Sequence, residues 1–183
     1  MANISSKINL IKEFTNKKNS NPNETPFSES YYQWIMFMIN HARRIPTELN
    51  IDLESFLIIQ TIASHSVYLL NKKGSKSFSD LEEEFELLFL SSGKKKDIHK
   101  LKYSTIAQVL EIPRETVRRK ITALVKRKIL KVSPKTGICL DKNYIKIYNE
   151  FAYKTSLEIV KLVRKWNNIG TIKKILEFSN KYL

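Results

Sequence analysis

Glycine, proline and cysteine are scarce in this chain of 183 residues, which holds four Gly, five Pro and one Cys. So few glycines argue against Gly-rich phosphate loops, large all-β folds and collagen-like repeats, and they favour helices. The lone cysteine, Cys139, has no second cysteine for an internal disulfide, which suits a reducing cytoplasm. A hydrophobic share of 42% is ample for a packed core. We therefore expect a mainly α-helical protein of one domain with appendages.

Long apolar runs are also missing. The N-terminal residues 1–10 lack the continuous apolar stretch of a secretory signal. The most apolar stretches, Tyr31–Ile39 and Phe56–Leu70, fall short of the roughly 20 residues that a spanning helix needs. The sequence thus predicts a cytoplasmic protein without a membrane partner.

The signatures of catalysis and metal binding are absent from the sequence as well. His41, His65 and His99 lie far apart and lack the spacing typical of a metal site. No Ser-His-Asp signature, phosphate loop or dinucleotide fingerprint is present. Cys139 fits a small buried hydrophobe better than a redox sensor. We expect no enzyme activity, no metal and no cofactor.

Positive charge is abundant and unevenly placed. The chain carries a formal net charge of +14, and residues 94–146 account for +12 of it, with sixteen Lys and Arg against four Asp and Glu. Such a concentration suits a polyanion-binding module, because each neutralised phosphate releases condensed counterions. A Lys-rich solvated surface is the plainer alternative.

Four regions follow from composition and periodicity. Residues 1–26 combine a short amphipathic helix with a polar linker containing two prolines, and residues 27–93 form a helical core or dimerisation region. Residues 94–141 form the basic module. Residues 142–183 form C-terminal helices that are candidates for dimerisation.

The expected helices have local start and stop signals. They run over Ser28–Arg44, ending near Pro46; about Asp52–Asn71, with Asp52 as N-cap; Ser79 to about Leu90; a long helix from about Lys142; and Thr171–Lys181 after a break at Gly170. In the first of these, Tyr31, Tyr32, Trp34 and Phe37 fit core or dimer packing, or the lining of an effector pocket. The sequence leaves a small-molecule effector open.

Residues 104–125 form the most informative stretch. Capped by Ser104, a first helix would turn Ile106 and Leu110 inward, and Ile112 would fill the turn before Pro113 opens a second helix. In that second helix one buried stripe is predicted at Val117, Ile121, Leu124 and Val125. Its outer face would carry Arg114, Glu115, Arg118, Arg119 and Thr122. This pattern predicts a helix-turn-helix whose second helix can meet base edges.

A β-hairpin is expected directly after the second helix. Two β-prone runs, residues 131–133 and 138–140, flank the turn Pro134-Lys135-Thr136-Gly137. A basic hairpin in this position is the wing of a winged helix. The predicted fold class is therefore mainly α, a winged helix-turn-helix with a three-helix core and a hairpin wing, flanked by N- and C-terminal helices.

The run from Ile106 to Arg119 resembles the helix-turn-helix of the Crp/Fnr class of bacterial transcription factors. That resemblance implies base reading by Arg114, Glu115 and Arg119, with Thr116 as a positioning contact. It also places Glu111 where such motifs often have a left-handed Gly. The order of the elements is similar to that of MarR-type regulators, in which terminal helices of two subunits build a dimer.

These observations predict a homodimeric, sequence-specific regulator of transcription that binds double-stranded DNA. Arg can fork onto guanine and Glu can accept from cytosine, while backbone contacts set the register. The expected DNA-binding residues are Lys102, Ser104, Thr105, Arg114, Glu115, Thr116, Arg118, Arg119, Lys120, Lys126, Arg127, Lys131, Lys135 and Thr136. The alternatives are a replication or plasmid-maintenance initiator, an architectural DNA-binding protein, or an enzyme or adaptor whose winged helix contacts RNA or protein.

Overall fold

The computed structural model describes residues 27–72, 74, 77, 101–134 and 137–182. Within these ranges the fold is mainly helical, with one small antiparallel sheet. The elements are α1 (Phe27–Leu49), α2 (Leu53–Asn71), α3 (Tyr103–Leu110), α4 (Arg114–Lys126), β1 (Leu130–Ser133), β2 (Gly137–Leu140), α5 (Asn143–Asn168) and α6 (Thr171–Tyr182). The predicted helix over Ser79–Leu90 and the helix and linker of residues 1–26 lie outside the described residues. The domain limits inferred from composition remain predictions.

The contacts divide the chain into two units. Unit 1 comprises residues 1–41 and 154–183, and unit 2 comprises residues 42–153, so that the division falls within α1 and within α5. Unit 2 holds one hydrophobic core to which every helix segment and both strands of that unit contribute. Its most deeply buried side chains are Ile45, Ile58, Ile59, Ile62, Ile106, Val117, Ile121, Leu124, Ile129, Leu130 and Leu140.

The junction of α1 and α2 differs from the sequence prediction at one point. Helix α1 continues through Pro46 to Leu49 instead of ending near Arg44. A proline in the last turn removes a single intrahelical hydrogen bond, and burial of Ile45 and Leu49 offsets that loss. Asn50 then takes a left-handed conformation with φ of 52°, and Asp52 caps α2 by accepting from the Ser55 amide at 2.8 Å. The predicted Asp52 cap is thus confirmed.

Helix α2 is the main core helix of unit 2. At 19 residues it extends beyond the apolar run Phe56–Leu70, and it is long and apolar enough to cross a membrane by length and composition alone. That test is weak evidence, because core helices pass it too. Ile58, Ile59 and Ile62 of α2 are buried in the unit 2 core, which accounts for its apolar character.

Helices α3 and α4 are joined by a tight three-residue connection. Glu111 adopts the left-handed conformation, with φ of 54° and ψ of 37°, and the Ile112 amide donates to the Ala107 carbonyl at 3.1 Å. Ile112 packs against the core, as predicted. The predicted Ser104 cap is wrong, because α3 begins at Tyr103 with Lys102 at the cap position and no side-chain cap bond. Pro113 lies one residue before the predicted position, at the cap of α4.

The two strands form the predicted hairpin. Leu130 pairs with Leu140 and Ser133 pairs with Gly137 in an antiparallel register. The Ile138 amide also donates to the Leu101 carbonyl at 3.2 Å, which attaches the chain two residues before α3 to the sheet. The tip residues Lys135 and Thr136 lie outside the described residues.

The C-terminal part follows the prediction closely. Helix α5 is a single helix of 26 residues, Gly170 takes a left-handed φ of 76°, and α6 begins at Thr171. Within unit 1 the hydroxyl groups of Ser30 and Thr171 lie 2.5 Å apart and are buried. The rings of Trp34 and Trp166 lie 6.2 Å apart.

Candidate nucleic-acid interface

Helix α4 has one buried side and one exposed side. Val117 and Ile121 are completely buried, Leu124 is buried, and Val125 packs at the edge of the core, as the sequence predicted. Because three of these side chains are fixed in the core, the rotation of the helix about its own axis is fixed as well. The exposed positions of α4 that carry a charged group or a hydroxyl are Arg114, Glu115, Arg118, Arg119, Thr122 and Lys126. We call this set the α4 face.

Two members of the α4 face form an ion pair. The Arg118 guanidinium donates to both carboxylate oxygens of Glu115, with Nε to Oε2 at 2.9 Å and Nη2 to Oε1 at 2.5 Å. The hydrogen bond from Arg118, aided by the charge of Arg119, lowers the pKa of Glu115, while the same bond raises the pKa of Arg118. Both groups therefore stay charged at neutral pH. A bidentate pair holds the Glu115 carboxylate in one orientation.

Arg114 and Arg119 are in a different situation. In the part of the chain that the structure describes, neither guanidinium takes part in a hydrogen bond or salt bridge. Each carries five N–H donors, and in both residues these donors lie on an exposed helix surface. Both arginines are available to a planar acceptor such as a phosphate or the guanine edge.

Lys120 does not lie on the α4 face, although its place in the sequence predicts a DNA contact. Its side chain is only 14% exposed, and its ammonium lies 2.8 Å from Oδ1 of Asp52 and 3.0 Å from Oε2 of Glu54. Burial opposes the charged form of Lys120, but the hydrogen bonds to the two carboxylates outweigh it and raise the pKa. Lys120 thus ties α4 to the start of α2.

Arg127 is engaged in a similar way. Its guanidinium donates to the Asn50 carbonyl at 2.7 Å and to the Leu49 carbonyl at 2.9 Å. The last carbonyls of a helix lack intrahelical partners and carry partial negative charge, so a cation at this place satisfies and stabilises the end of α1. Arg127 therefore has a structural role that periodicity could not have indicated, because its partners lie 77 and 78 positions away.

The remaining expected contacts lie on α3, α4 and β1. Lys102, Ser104 and Thr105 are exposed at the start of α3, Thr116 is half-buried in α4, and Lys131 is half-buried on β1. The carbonyl of Lys131 accepts from Cys139 Sγ at 3.7 Å across the sheet. Sequence reasoning overlooked Lys128, which is exposed after α4 with φ of 57°. The position of Lys128 between the predicted second helix and the predicted hairpin is the sequence feature that could have added it to the expected contacts.

The described residues hold no group of three or more His, Cys, Asp or Glu that could bind a metal ion. Open grooves are also present among the described residues. One, of about 320 Å³ in unit 1, is lined by Tyr32, Gln33, Met36, Phe37, Asn40, Glu158, Lys161, Leu162 and Lys165. Another, in unit 2, lies between α2 and α3. Two of the expected aromatic residues, Tyr32 and Phe37, line the first groove. Binding of a small-molecule effector remains an expectation.

Comparison of the chain with protein-family models, with curated proteins and with solved structures gives no match.

Proposed function

We propose that this chain is a sequence-specific double-stranded DNA-binding protein of the winged helix-turn-helix type that regulates transcription. The observation that carries the proposal is the α4 face. Arginines 114, 118 and 119 are exposed on a short helix that is fixed in the core by Val117, Ile121 and Leu124. A rigid helix with exposed cationic donors near its N-terminal end is suited to the major groove.

The neighbouring elements support the same proposal. Helix α3 and the left-handed Glu111 set the approach of α4, and the hairpin of β1 and β2 follows at the position of a wing. Exposed cations on either side, among them Lys102, Lys126 and Lys128, suit phosphates that flank the groove. In this role Arg114 and Arg119 read bases, Glu115 accepts from a base amine, and the surrounding lysines set the register.

The test selects bound duplexes from a random pool and then measures affinity for the selected sequence. We expect Arg114→Ala and Arg119→Ala each to weaken specific binding by about 1–3 kcal/mol and to relax base choice at separate positions. Arg164→Ala is the matched control, because it removes the same charge from an exposed helical position in α5. Equal affinity of Arg114→Ala for every sequence that the parent binds would overturn the base-reading assignment.

The regulatory part of the proposal has its own test. Footprinting of the protein on the genomic DNA of the cell that produces it is expected to show occupied sites close to promoters. Occupancy confined to one replication origin, or spread evenly over the DNA, would assign the same fold to an initiator or an architectural protein instead.

A further inference from the structure

Helix α1 exposes an extended apolar surface within unit 1. Six large side chains of α1 are between 37% and 62% exposed, and they are Tyr31, Tyr32, Trp34, Ile35, Met38 and Ile39. At about 100° per residue these positions fall within one arc of about 160° on the helix. We call this surface the α1 face. An uninterrupted apolar face of this kind marks an interaction site.

The rest of this helical stretch is uncharged too. Residues 30–42 contain no Asp, Glu, Lys or Arg, in a chain of which 27% of the residues are charged. The other side of the stretch already has partners in unit 1, since Ser30 bonds to Thr171 and Trp34 at the edge of the α1 face contacts Trp166. The uncharged polar residues Ser30, Gln33 and Asn40 lie on that other side, so the exposed α1 face is the apolar side of an amphipathic helix.

The described residues of unit 1 also form very little core. Among its described residues, Leu162 is the one hydrophobic side chain that is almost fully buried, at 8% exposure. Its helices α5 and α6 expose further large apolar side chains, which are Leu157, Ile159, Val160, Val163, Ile175 and Leu176. Burial of apolar surface is the main favourable term in folding, so the described residues of unit 1 contribute less of this stabilisation than those of unit 2.

We propose that the α1 face is a homodimer interface, occupied by the same face of a second copy of this chain. The six exposed side chains of the α1 face amount to about 600 Å² per chain, taking about 200 Å² for each large side chain in full. Specific interfaces bury about 600–1,000 Å² per partner. The α1 face therefore reaches the lower end of that range, in a two-fold interface to which each copy contributes the same residues.

The charge distribution favours a second copy over other occupants. Residues 94–146 carry +12 of the net charge of +14, so two chains repel one another there, whereas residues 30–42 offer a long helical stretch without like charges. Helices that lie on membranes carry Lys and Arg on their polar side, and this stretch has none. An acidic protein partner would be drawn to residues 94–146 instead. This inference stands on the apolar surface and does not require DNA binding.

The experiment measures the mass of the full chain by sedimentation at several concentrations. We expect the parent to form a species of twice 21.4 kDa. Ile39→Lys places a charge in the α1 face and is expected to raise the dissociation constant about 100-fold, because like charges across an interface cost several kcal/mol. Leu53→Lys is the matched control, since Leu53 in α2 has the same 53% exposure as Ile39, and it is expected to leave the dimer unchanged.

Hydroxyl-radical footprinting of the parent gives a second readout that does not depend on a variant folding. Met38 and Tyr32 are expected to lose reactivity as the dimer forms. Tyr68 in unit 2, which is 60% exposed compared with 62% for Tyr32, is expected to stay reactive. The proposal is overturned if the parent is monomeric at every concentration, if Ile39→Lys dimerises as the parent does, or if both lysine variants weaken the dimer equally. Protection of Met38 in the monomer would overturn it as well, because another part of the same chain would then cover the face.

Discussion

The ammonium nitrogen of Lys120 lies 2.8 Å from Oδ1 of Asp52, a residue 68 positions earlier in the chain. Asp52 also accepts from the Ser55 amide and so caps α2. One carboxylate therefore stabilises the start of a core helix and holds the helix that carries the α4 face. The orientation of α4 is set by this ion pair as well as by its buried stripe.

This ion pair makes stability depend on pH. Burial alone would raise the pKa of Asp52, but the hydrogen bonds from Lys120 and Ser55 outweigh it and lower the pKa below the ordinary 3.8. A carboxylate with a lowered folded pKa contributes stability above its unfolded pKa, and that stability is lost as the pH falls through the folded pKa. For Lys120, with its pKa raised above 10.5, the contribution is lost as the pH rises through that raised value.

Lys120→Met is therefore expected to lower the free energy of unfolding by about 0.5–1 kcal/mol at neutral pH, because both carboxylates are partly solvated. The difference from the parent should shrink below pH 3.8 and at strongly alkaline pH. Urea unfolding at several pH values measures it. Lys173→Met is the control, since Lys173 and Glu177 are 4.0 Å apart and highly exposed. A pH-independent difference would show that Lys120 stabilises only through its methylene groups.

Lys120 also allows a structural cation to be compared with a proposed DNA contact. If α4 binds DNA as proposed, Lys126→Met removes a phosphate contact and lowers the slope of log affinity against log salt by about one. Lys120→Met should leave that slope as it is in the parent, because its ammonium is already bound to Asp52 and Glu54. Binding titrations of the two variants over a salt series provide the measurement. A lower slope for Lys120→Met would return this residue to the DNA interface.

Local patterns predicted much of the fold. The stripe at Val117, Ile121 and Leu124 and the hairpin after α4 came directly from periodicity and turn chemistry, because those features depend on near neighbours in the sequence. The helix break at Gly170 came from the same kind of signal.

The sequence predictions failed where contacts between residues far apart in the sequence determine the structure. Pro46 is tolerated because neighbouring residues of α1 enter the core, and Lys120 and Arg127 have partners in the α1 and α2 junction. A pattern in the sequence does not distinguish cations that form such long-range contacts from cations that do not. The Ser104 cap failed for a smaller reason, since the helix starts one residue earlier and leaves this hydroxyl inside its first turn.

Glu111 offers a test of backbone strain at the turn between α3 and α4. Its φ of 54° is costly for a residue with a Cβ atom, and the side chain is exposed. Glu111→Gly is expected to raise the free energy of unfolding by about 0.5–1 kcal/mol. Glu111→Ala is the matched control, because it removes the same carboxylate but keeps the Cβ atom. If thermal or urea unfolding shows that both variants gain equally, the carboxylate and not the left-handed conformation is the cause.

Glu115 offers a test of the chemistry of the α4 face. Its hydrogen bonds from Arg118 lower the pKa of the carboxyl, so the group stays ionised and acceptor-only well below neutral pH. If Glu115 accepts from a cytosine amine, the base preference of the parent should stay constant from neutral pH down to about pH 5. Glu115→Gln replaces the acceptor by an amide that also donates. It should relax the preference for cytosine at one position by roughly tenfold.

Selection of bound duplexes with the parent and the variant at two pH values measures this effect. Glu177→Gln is the control, because Glu177 is an exposed helical glutamate in α6 that faces a cation four positions away. It should leave the selected sequences unchanged. Identical sequences selected by the parent and by Glu115→Gln would mean that this carboxylate only positions Arg118. The guanidinium, held by two hydrogen bonds in the free chain, would then be the group that meets the DNA.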